Sequence, residues 1–197
     1  MDPRRSGGTT MAAALAAAGL ALAAGLGAGP AGLRAQEPAA GHLDIPTVAA
    51  RPEDVASPEA LVKADLECIS GDVGVARQWG RDLSLYDPHA RFVSAEVDPK
   101  TGALTLVHSS PREYAERNDA GLVKDGFTEH ELAHRTTRFG NVASVASSYE
   151  SVSKATGESS RGVNIYQTYF DGKRWWILSI VWDAERPGNP IPKALLP

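Results

Sequence analysis

The sequence predicts an α+β fold, a curved antiparallel sheet wrapped around about three N-terminal helices, and three observations carry it. The last third, from Phe139 to Glu185, is a succession of aromatic and β-branched runs broken by Phe139-Gly140-Asn141, the polar stretch from Lys154 to Gly162, and Asp171-Gly172. Two cap signals, Ser57-Pro58-Glu59 and Ser110-Pro111-Arg112-Glu113, open helical segments upstream. Between them, Asp98-Pro99-Lys100-Thr101-Gly102 has the chemistry of a hairpin turn.

Residues 1–35 have the layout of an export signal. Arg4 and Arg5 precede an Ala/Leu/Gly run from Met11 to Leu33, and Leu33-Arg34-Ala35 supplies a small-residue exit, which predicts cleavage after Ala35. The alternatives are a retained anchor, for which the run is long but weakly hydrophobic, and twin-arginine export, for which only Arg4-Arg5 speaks. The chain is then expected in the periplasm or secreted from a bacterium, without stable membrane insertion once cleaved. Cleavage takes the formal charge from −4 to −6. An acidic chain with no basic cluster beyond Lys173-Arg174 lacks the footprint of nucleic-acid binding. The single cysteine, Cys68, excludes an intrachain disulfide, and its apolar neighbours Leu61, Leu66 and Ile69 predict a buried thiol.

Residues 36–56 form an acidic, Pro- and Ala-rich linker, residues 57–185 one domain, and residues 186–197 a Pro-rich tail. Within the domain, Ser57 caps a helix that ends near Gly71. A second is predicted from Asp72 to about Leu85, with Val73, Ala76, Trp79 or Gly80, and Leu83 on one face. Ala90–Val97 and Ala103–Val107 form the hairpin, and Ser110 caps a third helix to about Lys124. Four strands follow, Phe127–Arg138, Val142–Ser153, Val163–Phe170 and Arg174–Asp183.

This element order, the Phe139–Ala143 turn into a strand ending Ser148-Tyr149-Glu150, and Arg161-Gly162-Val163-Asn164 leading to Asp171-Gly172 and Trp175-Trp176-Ile177 resemble the NTF2-like superfamily, specifically its SnoaL-like or DUF4440-like members. The resemblance covers about Ser57 to Asp183. It implies a cone of curved sheet around three helices. It leaves activity open, because the superfamily includes ketosteroid isomerases, polyketide cyclases, epoxide hydrolases, dehydratases, association domains and transport factors. Neither the isomerase set of an Asp base with Tyr and Asp donors nor the Asp/Arg/Asp set of the epoxide hydrolases has a positional counterpart assignable here.

Strand parity nominates the lining of such a cone. Tyr149 shares a face with Ala143 and Val145, and Gln167 with Ile165 and Tyr169. On the last strand both parities are apolar, Trp175 and Ile177 on one and Trp176, Ile180 and Trp182 on the other, so a tail or partner must cover one side. His134, Tyr149 and Asp183 are the candidate acid/base residues; Trp79, Tyr149, Gln167 and Trp175 are the candidate ligand contacts. His130 and His134 fall on one face of a regular strand about 13 Å apart, too far for one metal, so neither metal nor cofactor is expected. No phosphate loop, nucleophile elbow or Cys/His metal pattern is present. The favoured reading is an exported, homodimeric protein that binds a small apolar molecule in its cone without defined catalysis. The alternatives are an isomerase, cyclase or dehydratase, and a dimeric association scaffold.

Overall fold

A computed structural model describes residues 42–197. The proposed signal segment lies outside the described residues, as does the linker up to residue 41. Helix α1 (Pro58–Ile69) starts as the cap residues demand: the Ser57 side chain accepts the Ala60 amide at 3.1 Å, and Pro58 occupies the first turn. It buries Leu61, Val62, Asp65, Cys68 and Ile69. Helix α3 (Pro111–Asp125) begins with a full capping box between Ser110 and Glu113.

The second helix is much shorter than the periodicity predicts. Helix α2 is only Trp79–Leu83. Residues 71–78 are committed elsewhere: Gly71 exchanges backbone hydrogen bonds with Phe127 at 2.7 and 3.0 Å, and Gly74 has a φ of 77°. Arg77 is buried, and its guanidinium donates to the carbonyls of Gly71, Val75 and Leu122. It thereby joins the C-terminal ends of α1 and α3, whose carbonyls carry the negative ends of the helix dipoles.

Six strands form one sheet in the order β2-β1-β6-β5-β4-β3: β1 (Tyr86–Val97), β2 (Leu104–Ser109), β3 (Phe127–Phe139), β4 (Val142–Ser153), β5 (Ser159–Phe170) and β6 (Trp175–Ala184). The expected antiparallel pairing holds for every neighbour except β1 and β6, which run parallel. The sheet is therefore mixed. Helices α1 and α3 fill its concave side.

Two bulges set which side chains face the helices. On β6 the register shifts so that Gln167 pairs with Ser179 and Thr168 with Ile177, leaving Leu178 as the extra residue. The inward set is thus Trp175 and Ile177 before the bulge, Ile180 and Trp182 after it. That is why both parities of this strand carry large apolar residues. On β3, Leu132 is the extra residue between Glu131 and Ala133. Contrary to the single face expected of a regular strand, His130 pairs with Glu150 and His134 with Ser147, on opposite faces. The parity of β5 is also the reverse of the expectation: Asn164, Tyr166 and Thr168 are buried and Gln167 is exposed.

The tail crosses the convex face. Ile191 and Leu195 are buried, and the Leu195 carbonyl accepts the Ser148 hydroxyl while the Ala194 carbonyl accepts Arg135 Nε at 3.3 Å. Ser148 pairs with Val163 on the face opposite Asn164 and Tyr166, so the tail covers the outer side of β4 and β5.

Candidate functional site

The concave face encloses a polar cavity. Its closed end is built from Asp65 on α1, Asp82 on α2, Tyr86 and Phe92 on β1, and Tyr166 on β5, all buried. Tyr114 on α3, Glu129 on β3 and Trp182 on β6 line it too and are only half-buried, which places the open end among them. The void is about 40 Å³, room for at least one ordered water. Among the described residues that line it, none is Lys, Arg or His.

Asp65 projects from the apolar stripe of α1, one turn beyond Leu61 and one before Cys68 and Ile69. Tyr166 donates its hydroxyl to Asp65 Oδ2 at 2.7 Å, and Tyr86 donates to Oδ1 of the same carboxyl. Asp82 is 2% exposed, and its one hydroxyl contact is a 3.5 Å approach of Tyr86 to Oδ1. Burial raises the Asp65 carboxyl above its ordinary range, against the two tyrosine hydrogen bonds. Burial raises Asp82 further, and the neighbouring Asp65 charge adds to it. Both shifts favour a proton held between the two carboxyls, as in close acidic pairs.

Glu129 closes the cluster from the other side. Asn164 Nδ2 donates to its Oε1 at 3.0 Å. The Ser70 hydroxyl accepts the Glu129 amide at 2.9 Å and donates to the Leu66 carbonyl at 2.6 Å, so the end of α1 grips β3 at this residue. Burial pushes the Glu129 carboxyl up to about 8, Asn164 opposing and the Asp65 charge reinforcing. Its proton is therefore poised near neutrality, where acid–base chemistry is most efficient.

Aromatic rings form the remaining wall. Phe92, Tyr114 and Trp182 make an edge-to-face triangle, with centroids 5.4 Å (Phe92–Tyr114), 6.0 Å (Phe92–Trp182) and 6.0 Å (Tyr114–Trp182) apart. Trp79 stands behind it, 6.4 Å from Tyr114, with its indole donating to Asp119 at 2.6 Å.

The residues nominated by sequence do not converge on this cavity. Tyr149 faces the concave side, buried against Gly162, and burial raises its hydroxyl pKa with the Glu129 charge next. His134 is exposed on edge strand β3, 2.6 Å from Glu131 Oε1. Asp183 pairs with Val163 on the convex side and is engaged by Arg186 and Asn189. Gln167 is exposed and donates to Ser144 at 3.2 Å. Trp175 is buried beside Phe170 with the Arg138 guanidinium 4.7 Å over its ring. No hydrogen bond joins any two of the His134, Tyr149 and Asp183 side chains, although Tyr149 and Asp183 flank the same Gly162 and the Asp183 charge helps to raise the Tyr149 hydroxyl. The cavity cluster of Asp65, Asp82, Tyr86, Glu129, Asn164 and Tyr166 escaped the sequence reading, although an acid inside an apolar helical stripe, as at Asp65, was a visible signal.

Among the described residues, no group of three or more His, Cys, Asp or Glu side chains is arranged to hold a metal ion, and no helix is long and apolar enough to cross a membrane.

Comparison with known proteins places the fold. No family model and no curated protein matches the chain. Solved structures do match. A protein of unknown function with a cystatin-like fold from Nostoc punctiforme superposes with a TM-score of 0.50 at 8% identity, over 74% of this chain and 100% of that one. A second Nostoc punctiforme protein, a domain of unknown function with the same fold, gives a TM-score of 0.48 at 13% identity, over 64% of this chain and 74% of that one. An NTF2-like protein of unknown function from Shewanella baltica gives 0.38 at 11% identity, over 54% and 77%. The likeness to the first of these structures is one of fold alone, and that fold is cystatin-like.

Proposed function

We propose that the protein binds a small organic molecule in its cone and that the carboxyl–tyrosine cluster moves protons on it. One observation carries this reading: three carboxyl groups, Asp65, Asp82 and Glu129, line one small cavity with no basic side chain among its lining residues. Burying such groups is costly to a fold, and titratable groups displaced this far from their ordinary range concentrate at functional sites. In the mechanism, Glu129 is the acid/base, taking or giving a proton at a substrate atom at the open end. Asp65, held by Tyr86 and Tyr166, shares a proton with Asp82 and presents a hydrogen-bond donor or acceptor at the closed end. A substrate larger than water enters by displacement of the half-buried Tyr114 and Trp182. The chemistry so served is of the isomerase, cyclase or dehydratase type rather than passive carriage of an apolar ligand. His134, Tyr149 and Asp183 have no part in proton transfer in this scheme; Tyr149 shapes the wall beside Glu129.

The test is a fragment screen by NMR with neutral, cationic and anionic members. Bound fragments are expected to perturb the Trp182 indole and the Asn164 side-chain amide, and the filling variant Ile180→Phe is expected to abolish this. Proton exchange at the bound fragments' acidic C–H positions, followed in D₂O, is expected to fall at least tenfold in Glu129→Gln. Shifts scattered over the outer surface would refute the reading.

Export of the chain to the periplasm or medium is part of the same proposal, supported by the layout of residues 1–35. Self-association is supported by the exposed Leu104, Leu106 and Val181. Sedimentation of the full chain should show a dimer; a monomer at high concentration would remove that element alone.

A further inference from the structure

We propose that the cone's ligand is a small organic cation, an alkylammonium, seated between the carboxyls of Asp82 and Glu129 and the aromatic triangle of Phe92, Tyr114 and Trp182. The inference rests on the cone being the ligand site and specifies what that site takes. Asp82 is 98% removed from solvent and lines the void, and its partners there are the Asp65 carboxyl and a 3.5 Å approach of the Tyr86 hydroxyl, with no cation beside it. Tyrosine hydroxyls donate to both oxygens of Asp65 but approach Asp82 only at 3.5 Å, so Asp82 is the carboxyl with room for a ligand's donor. An ammonium supplies what that carboxyl lacks, a positively charged donor. Phe92, Tyr114 and Trp182 line the same void at mutual distances of 5.4, 6.0 and 6.0 Å, and aromatic rings are the apolar surface that a desolvated cation favours. An anion would meet carboxyls and ring faces with no Lys, Arg or His among the lining residues to offset them.

Such a ligand changes the protonation of its own site. Inside the cone the groups facing Glu129 are Asp65 from α1, Tyr114 from α3, Tyr149 from β4, and Asn164 and Tyr166 from β5, none of them cationic, while the groove between α1 and β3 that Glu129 also borders carries Glu59, Lys63 and Glu67 from α1 and His130 and Glu131 from β3. With Glu129 raised to about 8 by burial, binding below that pH expels its proton to solvent, leaving an ammonium–carboxylate pair. Affinity should climb up to tenfold per pH unit as pH rises toward 8 and level off above it, while the alkylammonium, like a lysine, keeps its charge to about pH 10.

The experiment titrates the full domain with isopropylammonium and its near-isosteres 2-propanol and acetate, by calorimetry at pH 6.5 and 8.5, in two buffers of different ionisation enthalpy. The inference expects isopropylammonium alone to bind, with uptake of a proton by the buffer at pH 6.5 and at least tenfold tighter binding at pH 8.5. Asp82→Asn should weaken it at least tenfold at both pH values, and Glu129→Gln should abolish proton release and the pH dependence. Both substitutions are isosteric, and thermal melts confirm folding. Binding of 2-propanol or acetate in preference to the ammonium would overturn the inference and leave the cone reading standing. Binding of none of the three would overturn the inference, and the fragment screen then decides the cone reading separately.

Discussion

Tyr166 on β5 and Asp65 on α1, 101 residues apart in the chain, meet at 2.7 Å in the closed end of the cone. Both are buried, so this bond ties the central helix to the middle of the sheet through a polar contact inside the core. Removing the hydroxyl leaves one oxygen of a buried carboxyl without its donor. Tyr166→Phe is therefore expected to cost about 1–3 kcal/mol, measured by denaturant unfolding, and to raise the Asp65 pKa further. A variant as stable as wild type would mean that water replaces the hydroxyl.

Stability should fall as pH rises through the neutral range. In the unfolded chain Glu129 ionises near the ordinary value of 4.5, while the fold holds its proton to about 8. The stabilisation is complete below 4.5, shrinks as pH rises, and is gone above 8. Asp65 and Asp82, also raised, act with the same sign. Melting temperature is expected to drop between pH 5 and pH 9, and Glu129→Gln to flatten the profile and exceed wild type at pH 9.

Ser70 is a positioning residue. Its hydroxyl holds the Glu129 amide at 2.9 Å and the Leu66 carbonyl at 2.6 Å. Ser70→Ala should cost about 1 kcal/mol of stability and broaden the Asn164 side-chain NMR signals, because the Glu129 carboxyl loses its fixed backbone. Ser70→Thr, which restores the hydroxyl, should recover both.

Gly162 is fixed by its neighbours. A Cβ there would lie 2.5 Å from both the Tyr149 hydroxyl and the Asp183 carbonyl. Gly162→Ala is expected to destabilise by about 1–3 kcal/mol. Tyr149→Phe removes only the oxygen contact with that Cβ, so it should relieve part of the cost in the double variant, measured as a double-mutant cycle.

How much of this could be read from sequence depended on how local the cause was. Ser57, Ser110 and Glu113 announced their helices because a cap acts within four residues, and the Asp98–Gly102 turn did likewise. The short α2 was misjudged because the periodicity of residues 72–85 says nothing about Gly71 pairing with Phe127 or Arg77 reaching Leu122. Face assignments failed where a bulge intervened: Leu132 and Leu178 each reverse the parity of half a strand, and only the partner strand reveals them. The inward set of β5 was missed because polar Asn164 and Thr168 occupy the buried face while apolar Val163 and Ile165 lie on the other side, where Val163 sits beneath the tail. A polar cavity inverts the usual hydrophobic signal.

The most direct measurement is a ¹³C NMR titration of the side-chain carboxyls in protein labelled at Asp and Glu, with Glu129→Gln to assign the key signal. Glu129 is expected to titrate near 8, as its burial requires, and to shift to lower pH when isopropylammonium is added. A Glu129 that titrates at the ordinary 4 to 5, unmoved by any fragment, would contradict a buried acid–base site in the cone.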